Sequence, residues 1–300
     1  MPVKTIMIVI AIVLNITVNG VVSAQDAGGR LVFAIRNPFL HRDGFRAATG
    51  MLEKGRSTTK WWEFYEYNIC TMDPSGTDFR QLTDDGVSRR PRWSPDRQRI
   101  AYISGVDGAE SLRVMAGDGT ENKRLVKEQH RIHDFWWAPS SDAILVALEI
   151  EQARNQLENW VVNIDGKSTK RWRTSRWAEG WRHWDVNGAK VNEPRNRLMD
   201  ALPEGTQWPL WSPDGKQILF YTAGKICVAA VENGRFTKYR NLSLYSGWDA
   251  AWSPDGSQIA FVGRDSAGRD TSEIFLLDVE TGNMRQITSS THGYLDLHWR

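Results

Sequence analysis

Trp211-Ser212-Pro213-Asp214-Gly215-Lys216-Gln217-Ile218-Leu219-Phe220 is the stretch on which the reading of the fold turns. Its centre is turn chemistry: proline presets φ, aspartate bonds nearby backbone, and glycine tolerates φ > 0. The indole ahead of it ends one strand and the apolar Ile-Leu-Phe after it begins another. The same grammar returns at Trp252-Ser253-Pro254-Asp255-Gly256 with Ile259-Ala260-Phe261, and at Trp93-Ser94-Pro95-Asp96 with Ile100-Ala101-Tyr102. Weaker copies start at Trp137-Ala138-Pro139-Ser140 and at Trp184-Asp185-Val186-Asn187-Gly188, and Trp299 stands as a last anchor. The anchors are 44, 47, 27, 41 and 47 residues apart. A period of about 40–47 residues with several strands per repeat reads as a β-propeller.

Each unit continues in the same way. A third strand is expected at Tyr67 to Met72, Leu112 to Met115, Trp160 to Ile164, Ile226 to Ala230 and Ile274 to Leu277. A polar turn and a more polar fourth strand follow each, which makes a four-stranded antiparallel blade. Six anchors predict an all-β, six-bladed propeller in which the 27-residue unit from Trp184 is a degenerate blade. Five blades with an insertion at 175–210 is the alternative. Gly28 to Ala34 resembles a second strand with no anchor strand before it, whereas Tyr294 to Trp299 is an anchor strand with nothing after it. The C-terminal strand is therefore expected to pair with the N-terminal blade and close the ring.

The WSPDG grammar resembles the repeat of the TolB-like, WD-repeat-like β-propeller family, and the resemblance covers most of residues 31–300. It implies a periplasmic propeller with envelope protein or peptide partners. The same repeat also occurs in the propeller domains of prolyl-oligopeptidase-type peptidases. Because the repeat starts almost at the expected cleavage site, the TolB N-terminal α/β domain is not expected here.

Lys4 is the only charge in the first 24 residues; an apolar run from Thr5 to Ile16 follows, then small residues ending Val22-Ser23-Ala24. That is the layout of a secretory signal peptide cut before Gln25, leaving 25–300 as the propeller domain. A membrane-spanning helix needs about 20 mostly apolar residues, and Asn15, Thr17, Asn19 and Gly20 interrupt this run. The expected location is periplasmic or secreted, with no membrane span after cleavage. With 38 Lys and Arg against 36 Asp and Glu, the charge balance gives no basis for nucleic-acid binding. A monomer is expected.

Fifteen Trp against two Cys is the compositional oddity. The anchor indoles Trp93, Trp137, Trp211 and Trp252 recur at one position per blade, as packing between sheets requires. Each would remove about 150–250 Å² from water. Asp96, Asp214 and Asp255 are read as turn residues. Cys70 and Cys227 fall in one column of the third strand in separate blades, too far apart for a disulfide. They are expected as buried free thiols.

Function is sought on the face opposite the anchor turns, where loops are long and unlike one another. Three residues before each anchor stand Arg90, Asp134, Trp181, Trp208, Asp249 and Asp296; four before stand Arg89, His133 and Trp248 among others. With Tyr294 these are the candidate partner-binding residues. Asp134, Asp249 and Asp296 are candidates to hold a cation, to accept hydrogen bonds from a partner, or to cap local backbone donors. Trp181, Trp208, Trp248 and Tyr294 suit a binding surface, where large rings give area at low entropy cost; packing is the competing reading.

No G-x-S-x-G and no H-E-x-x-H occurs in the sequence, so no catalytic set is assigned. His130-x-x-His133 and the His292–His298 group match no recognised metal spacing, and no metal or cofactor is expected. The leading reading is a protein- or peptide-binding module. The alternative is a carbohydrate-binding or carbohydrate-active propeller resembling the oligogalacturonate lyases, with or without a metal, and a glycan as partner.

Overall fold

The computed structural model describes residues 29–37, 66–106, 109–126, 131–149, 157–166, 169–172, 202–203, 206–232, 235–236, 239–242, 247–264, 272–289 and 293–300. Within them every element is a strand. β1 (Leu31–Asn37), β2 (Glu66–Met72) and β3 (Arg80–Gln81) belong to the first sheet. The second runs β4 (Ser88–Trp93), β5 (Arg99–Val106), β6 (Ala109–Ala116), β7 (Lys123–Arg124). The third is β8 (Arg131–Trp137), β9 (Ala143–Glu149), β10 (Leu157–Asn163), β11 (Thr169–Trp172).

The fourth is β12 (Gln207–Trp211), β13 (Gln217–Thr222), β14 (Lys225–Glu232), with β15 (Arg235–Phe236) and β16 (Arg240–Asn241) both on β14. The fifth is β17 (Gly247–Trp252), β18 (Gln258–Gly263), β19 (Glu273–Asp278), β20 (Met284–Gln286). Last in the chain, β21 (Gly293–Trp299) returns to the first sheet. It runs antiparallel to β1, with Leu31 opposite Trp299 and Ile35 opposite Tyr294. The architecture is an all-β propeller.

Five sheets, not six, are present among the described residues. The sixth unit was expected from Trp184, and residues 173–201 lie outside the described set. The physical reason was visible in its length: four strands of about five residues with their turns do not fit into 27 residues. Residues 185–200 also hold no apolar run, and Pro194 interrupts them. Trp208, expected three residues before the Trp211 anchor, lies in β12 of the fourth sheet.

Period-2 alternation explains how the sheets stack. On β1, Val32 and Ala34 face Trp93, Ile100 and Tyr102 of the second sheet. Leu31 and Phe33, on the other side, meet Val262, Ile274 and Leu276 of the fifth. Ala101, Ile103 and Val114 likewise meet Phe135, Trp137 and Val146, and Leu219, Ile226 and Val228 meet Trp252, Phe261 and Phe275. With both faces covered, the second and third strands of each sheet read as nearly continuous apolar runs.

The anchor turns are saturated with hydrogen bonds. In each of three units the serine hydroxyl donates to the aspartate, at 2.5, 2.7 and 2.6 Å for Asp96, Asp214 and Asp255. The same aspartate accepts the amide two residues on, at 3.0 Å in every case. The serine oxygen accepts the amide of Arg99, Gln217 or Gln258, each at 2.9 Å, which registers the second strand against the first. Burial pushes the Asp214 carboxyl up, yet the Lys216 amide and Ser212 hydroxyl outweigh it and hold it below the ordinary Asp value. Neighbouring turns touch: a Cβ on Gly256 would meet Pro213 at 3.6 Å, and the Asp96 amide donates to Ser141 at 2.9 Å. They therefore share one face.

Three kinds of link join adjacent sheets. In the middle, the anchor indoles do more than fill space. Trp137 Nε1 donates to the Arg92 carbonyl at 3.0 Å, and Trp252 Nε1 to the Leu210 carbonyl at 3.1 Å. In each case the acceptor is the residue just before the anchor of the preceding sheet. Trp93 departs from this: its Nε1 is buried with no partner, and its ring lies where a Cβ on Gly117 would come within 2.8 Å.

At the rim, Arg240 donates to the carbonyls of Val279 (2.8 Å) and Glu280 (3.2 Å), and Arg285 to that of Pro74 (2.9 Å). Arg80, Arg240 and Arg285 occupy one register position, opposite Thr71, Val228 and Leu276. Each outer strand is short and charged, which also discourages edge pairing with other chains. The third link, at the hub, belongs to the functional site.

Cys70 and Cys227 are both buried and free, opposite Phe33 and Phe220 on their own second strands. The segment leading into β1 is seated closely: Gly29 has φ +81°, and a Cβ there would lie 2.5 Å from the Arg300 carbonyl oxygen.

Candidate functional site

The inner strand of each sheet carries a register irregularity just before its anchor: between Arg89 and Arg92, Ile132 and Asp134, Gln207 and Leu210, Trp248 and Ala251, and opposite Val32 and Ala34 on β21. A β-bulge bends the strand and re-aims one side chain. At three of these bulges the residue adopts the left-handed conformation: Arg90 (φ 52°), Asp249 (φ 47°) and Asp296 (φ 55°). Asp is among the residues that enter that region most readily, whereas Arg is not. Only a surrounding structure that specifies the conformation keeps Arg90 there.

The bulged amides form the hub link. The Asp296 amide donates to Asp249 Oδ2 at 3.1 Å, joining the fifth sheet to the first. The Arg90 amide donates to Asp296 Oδ2 at 2.9 Å, joining the first to the second. The Arg90 guanidinium then donates to the His133 carbonyl of the third. The aspartates do cap backbone donors, but those of the next sheet rather than their own. Asp134 is the exception, accepting the adjacent Phe135 amide at 2.8 Å.

Charge is distributed unevenly around this chain. Arg89 ion-pairs with Glu110, whose side chain is 3% exposed, and donates to the Gly105 carbonyl at 2.8 Å. Glu110 also accepts the Ile132 amide at 2.5 Å, so one buried carboxylate ties the second sheet to the third. Arg92 pairs with Asp134 at 3.0 Å, donates to the Phe135 carbonyl, and lies 5.0 Å from the Phe135 ring centroid. All three arginines are thereby turned toward β8 or Glu110.

Asp249 and Asp296 are left with amides as their partners. Burial, reinforced by the neighbouring Asp296 charge, pushes the Asp249 carboxyl up to about 6. Burial also raises Asp296, against the pull of Arg90.

Of the expected partner-binding residues, Arg89, Arg90, His133, Asp134, Asp249 and Asp296 come together on β4, β8, β17 and β21. Tyr294 does not join the surface: it is 7% exposed, and its ring packs edge-on against Phe33 at 5.5 Å. Trp208 and Trp248 have their backbones in β12 and β17, and their side chains lie outside the described residues, as does the whole of Trp181. Glu110 and Arg92 were missed. Glu110 lies opposite Gly105 on the third strand of its sheet, and no column of the repeat marks it.

His298 offers its Nδ1 to the Trp93 amide at 3.3 Å. Among the described residues no three His, Cys, Asp or Glu side chains converge as a metal would require.

Sheet stacking and hub together define a class: a β-propeller with one face of saturated turns and one that carries its charged inner strands. No protein-family profile matches the chain. It is 25% identical over 202 residues to the uncharacterized peptidase YuxL of Bacillus subtilis (strain 168), covering 63% of this chain and 29% of YuxL. To the Tol-Pal system protein TolB of Nitrosomonas europaea it is 29% identical over 73 residues, 24% of this chain and 17% of TolB. Among solved structures, TolB from Acinetobacter baumannii aligns with 90% of this chain and 55% of its own, at 18% identity and a TM-score of 0.39. The chain spans less than a third of the length of either curated relative. The chain is a β-propeller similar to TolB.

Proposed function

We propose that this protein is a periplasmic or secreted binding module that engages an envelope protein or peptide through the inner-strand ends opposite its anchor turns. One observation carries the reading: six charged or polar residues from four neighbouring inner strands converge there, whereas the other face spends its polar groups inside its own turns. Arg90 is exposed at the centre of that group, and guanidinium groups are enriched at interfaces. Residues 1–24 supply the export signal in this reading, and the β21–β1 pairing seals the ring, giving the rigid frame that such a surface needs.

A photoreactive amino acid at position 90, compared with one at Lys216 on the anchor-turn face, tests the proposal. Lys216 has a side chain 80% exposed, so it reports non-specific capture. Cross-linking in the intact envelope should give a discrete protein adduct from position 90 and none from 216. Equal adducts from both positions, or no protein adduct together with binding on a glycan array, would overturn the reading in favour of non-specific contact or a carbohydrate ligand.

A further inference from the structure

The hub contains two carboxylates in an unusual setting. Asp249 and Asp296 sit on adjacent inner strands, β17 and β21, each held at positive φ, and linked because the amide of one donates to the carboxylate of the other. Asp296 in turn accepts the amide of Arg90. Three sheets are thus fastened at the hub through two acidic side chains. Both residues are half-buried, with protein packed around their carboxyls.

We infer that Asp249 and Asp296 act as a proton-operated clasp, which holds the fifth, first and second sheets together at the hub in mild acid and loosens as pH rises. Two like charges on adjacent strands repel when both are ionised, and that repulsion falls on the interface the amide chain bridges. The groups facing the pair decide whether it is neutralised. From β4, Arg90 is nearest; Arg89 and Arg92 act from farther off, being engaged by Glu110 and Asp134. From β8, the His133 carbonyl holds the Arg90 guanidinium, and Asp134 is paired with Arg92. From β13, the Tyr221 hydroxyl lies buried behind Asp249, and burial together with the Asp249 charge raises it well above its ordinary value. The strand facing Asp296 on its own sheet, β1, contributes apolar residues at this level.

The direction follows from linkage. A carboxyl that is raised in the folded state keeps its proton there after the unfolded chain has lost its own. For Asp249 that window runs from the ordinary Asp value near 4 to about 6. Through it, folding takes up a proton, so stability declines as pH increases. Any opening that hydrates the pair is favoured above the window. The same strands present Arg89 and Arg90, so the clasp also sets how firmly the charged face is held.

The experiment compares wild type with Asp249→Asn and Asp296→Asn, which keep an acceptor oxygen and tolerate the left-handed backbone. Thermal midpoints and hydrogen exchange of peptides covering 88–93 and 293–299 are measured at pH 5 and pH 8 at constant ionic strength. Exchange is corrected for the intrinsic rate at each pH. Wild type should lose roughly tenfold or more of its protection in both peptides at pH 8, and the variants should lose much less. If either variant does not fold, the other and the wild-type exchange profile still decide. Equal pH dependence in wild type and variants, or pH-independent protection in the two peptides, would overturn the clasp.

Discussion

Replacing Trp252 and Trp93 separately by phenylalanine should give unequal losses of stability, although both are anchor residues at the same repeat position. Each change removes roughly 40 Å² of buried apolar surface, about 1 kcal/mol at 25 cal/mol per Å². In Trp252→Phe the bond to the Leu210 carbonyl is also lost. Its net value of about 1 kcal/mol, with the cost of an acceptor left without its donor, adds roughly 2 kcal/mol. The total is about 3 kcal/mol.

Trp93 has no such bond to lose; its buried indole N–H is without a partner, and removing it returns about 1 kcal/mol. Trp93→Phe should therefore cost about 1 kcal/mol or less. Guanidinium unfolding at pH 7, followed by circular dichroism, measures both, provided m is unchanged. A gap of about 2 kcal/mol corresponds to a Tm difference of about 4–8 °C for a domain of this size. Trp137→Phe serves as a replicate, since its indole donates to the Arg92 carbonyl. Equal losses for Trp93 and Trp252, or a larger loss at Trp93, would refute the view that the indoles act as polar staples as well as wedges.

Two further outcomes are expected. Glu110→Ala should destabilise by about 3 kcal/mol, because it leaves Arg89 and the Ile132 amide without their shared carboxylate, while Glu110→Gln should cost less than half of that; unchanged unfolding midpoints would contradict the inter-sheet role. Cys70 and Cys227 should resist a thiol reagent in the native protein and give two equivalents after denaturation, since burial pushes both thiols up in pKa and keeps the reagent out; fast native labelling at pH 8 would show that the strands breathe.

The repeat was legible because turn chemistry is local. Ser-Pro-Asp followed by Gly, or by Arg97 in the second sheet, closes its hydrogen bonds within six residues, so Asp96, Asp214 and Asp255 could be assigned before any contact between sheets was known. The thiol column was legible for a related reason: strand periodicity places Cys70 and Cys227 opposite aromatic residues of their own sheets, in separate sheets. Tyr294 was misread as a displayed ring because nothing local distinguishes an aromatic that lines a binding face from one turned into the Phe33 interface. The sixth blade was overcounted because an anchor-like Trp184 outweighed the shortness of the interval after it.

The amino-acid order alone determined the all-β repeat, the positions of the anchor turns after Trp93, Trp137, Trp211 and Trp252, and the alternation that buries both faces of the second and third strands, since these depend on neighbours a few residues away. Tertiary structure alone decided how the units are joined. The aspartate at a bulge accepts an amide 47 or 206 residues away, and the indole of one sheet finds the carbonyl of another 42 or 45 residues back. A hydrogen bond is directional and reaches about 3 Å, so which donor meets which acceptor is set only when the sheets have stacked.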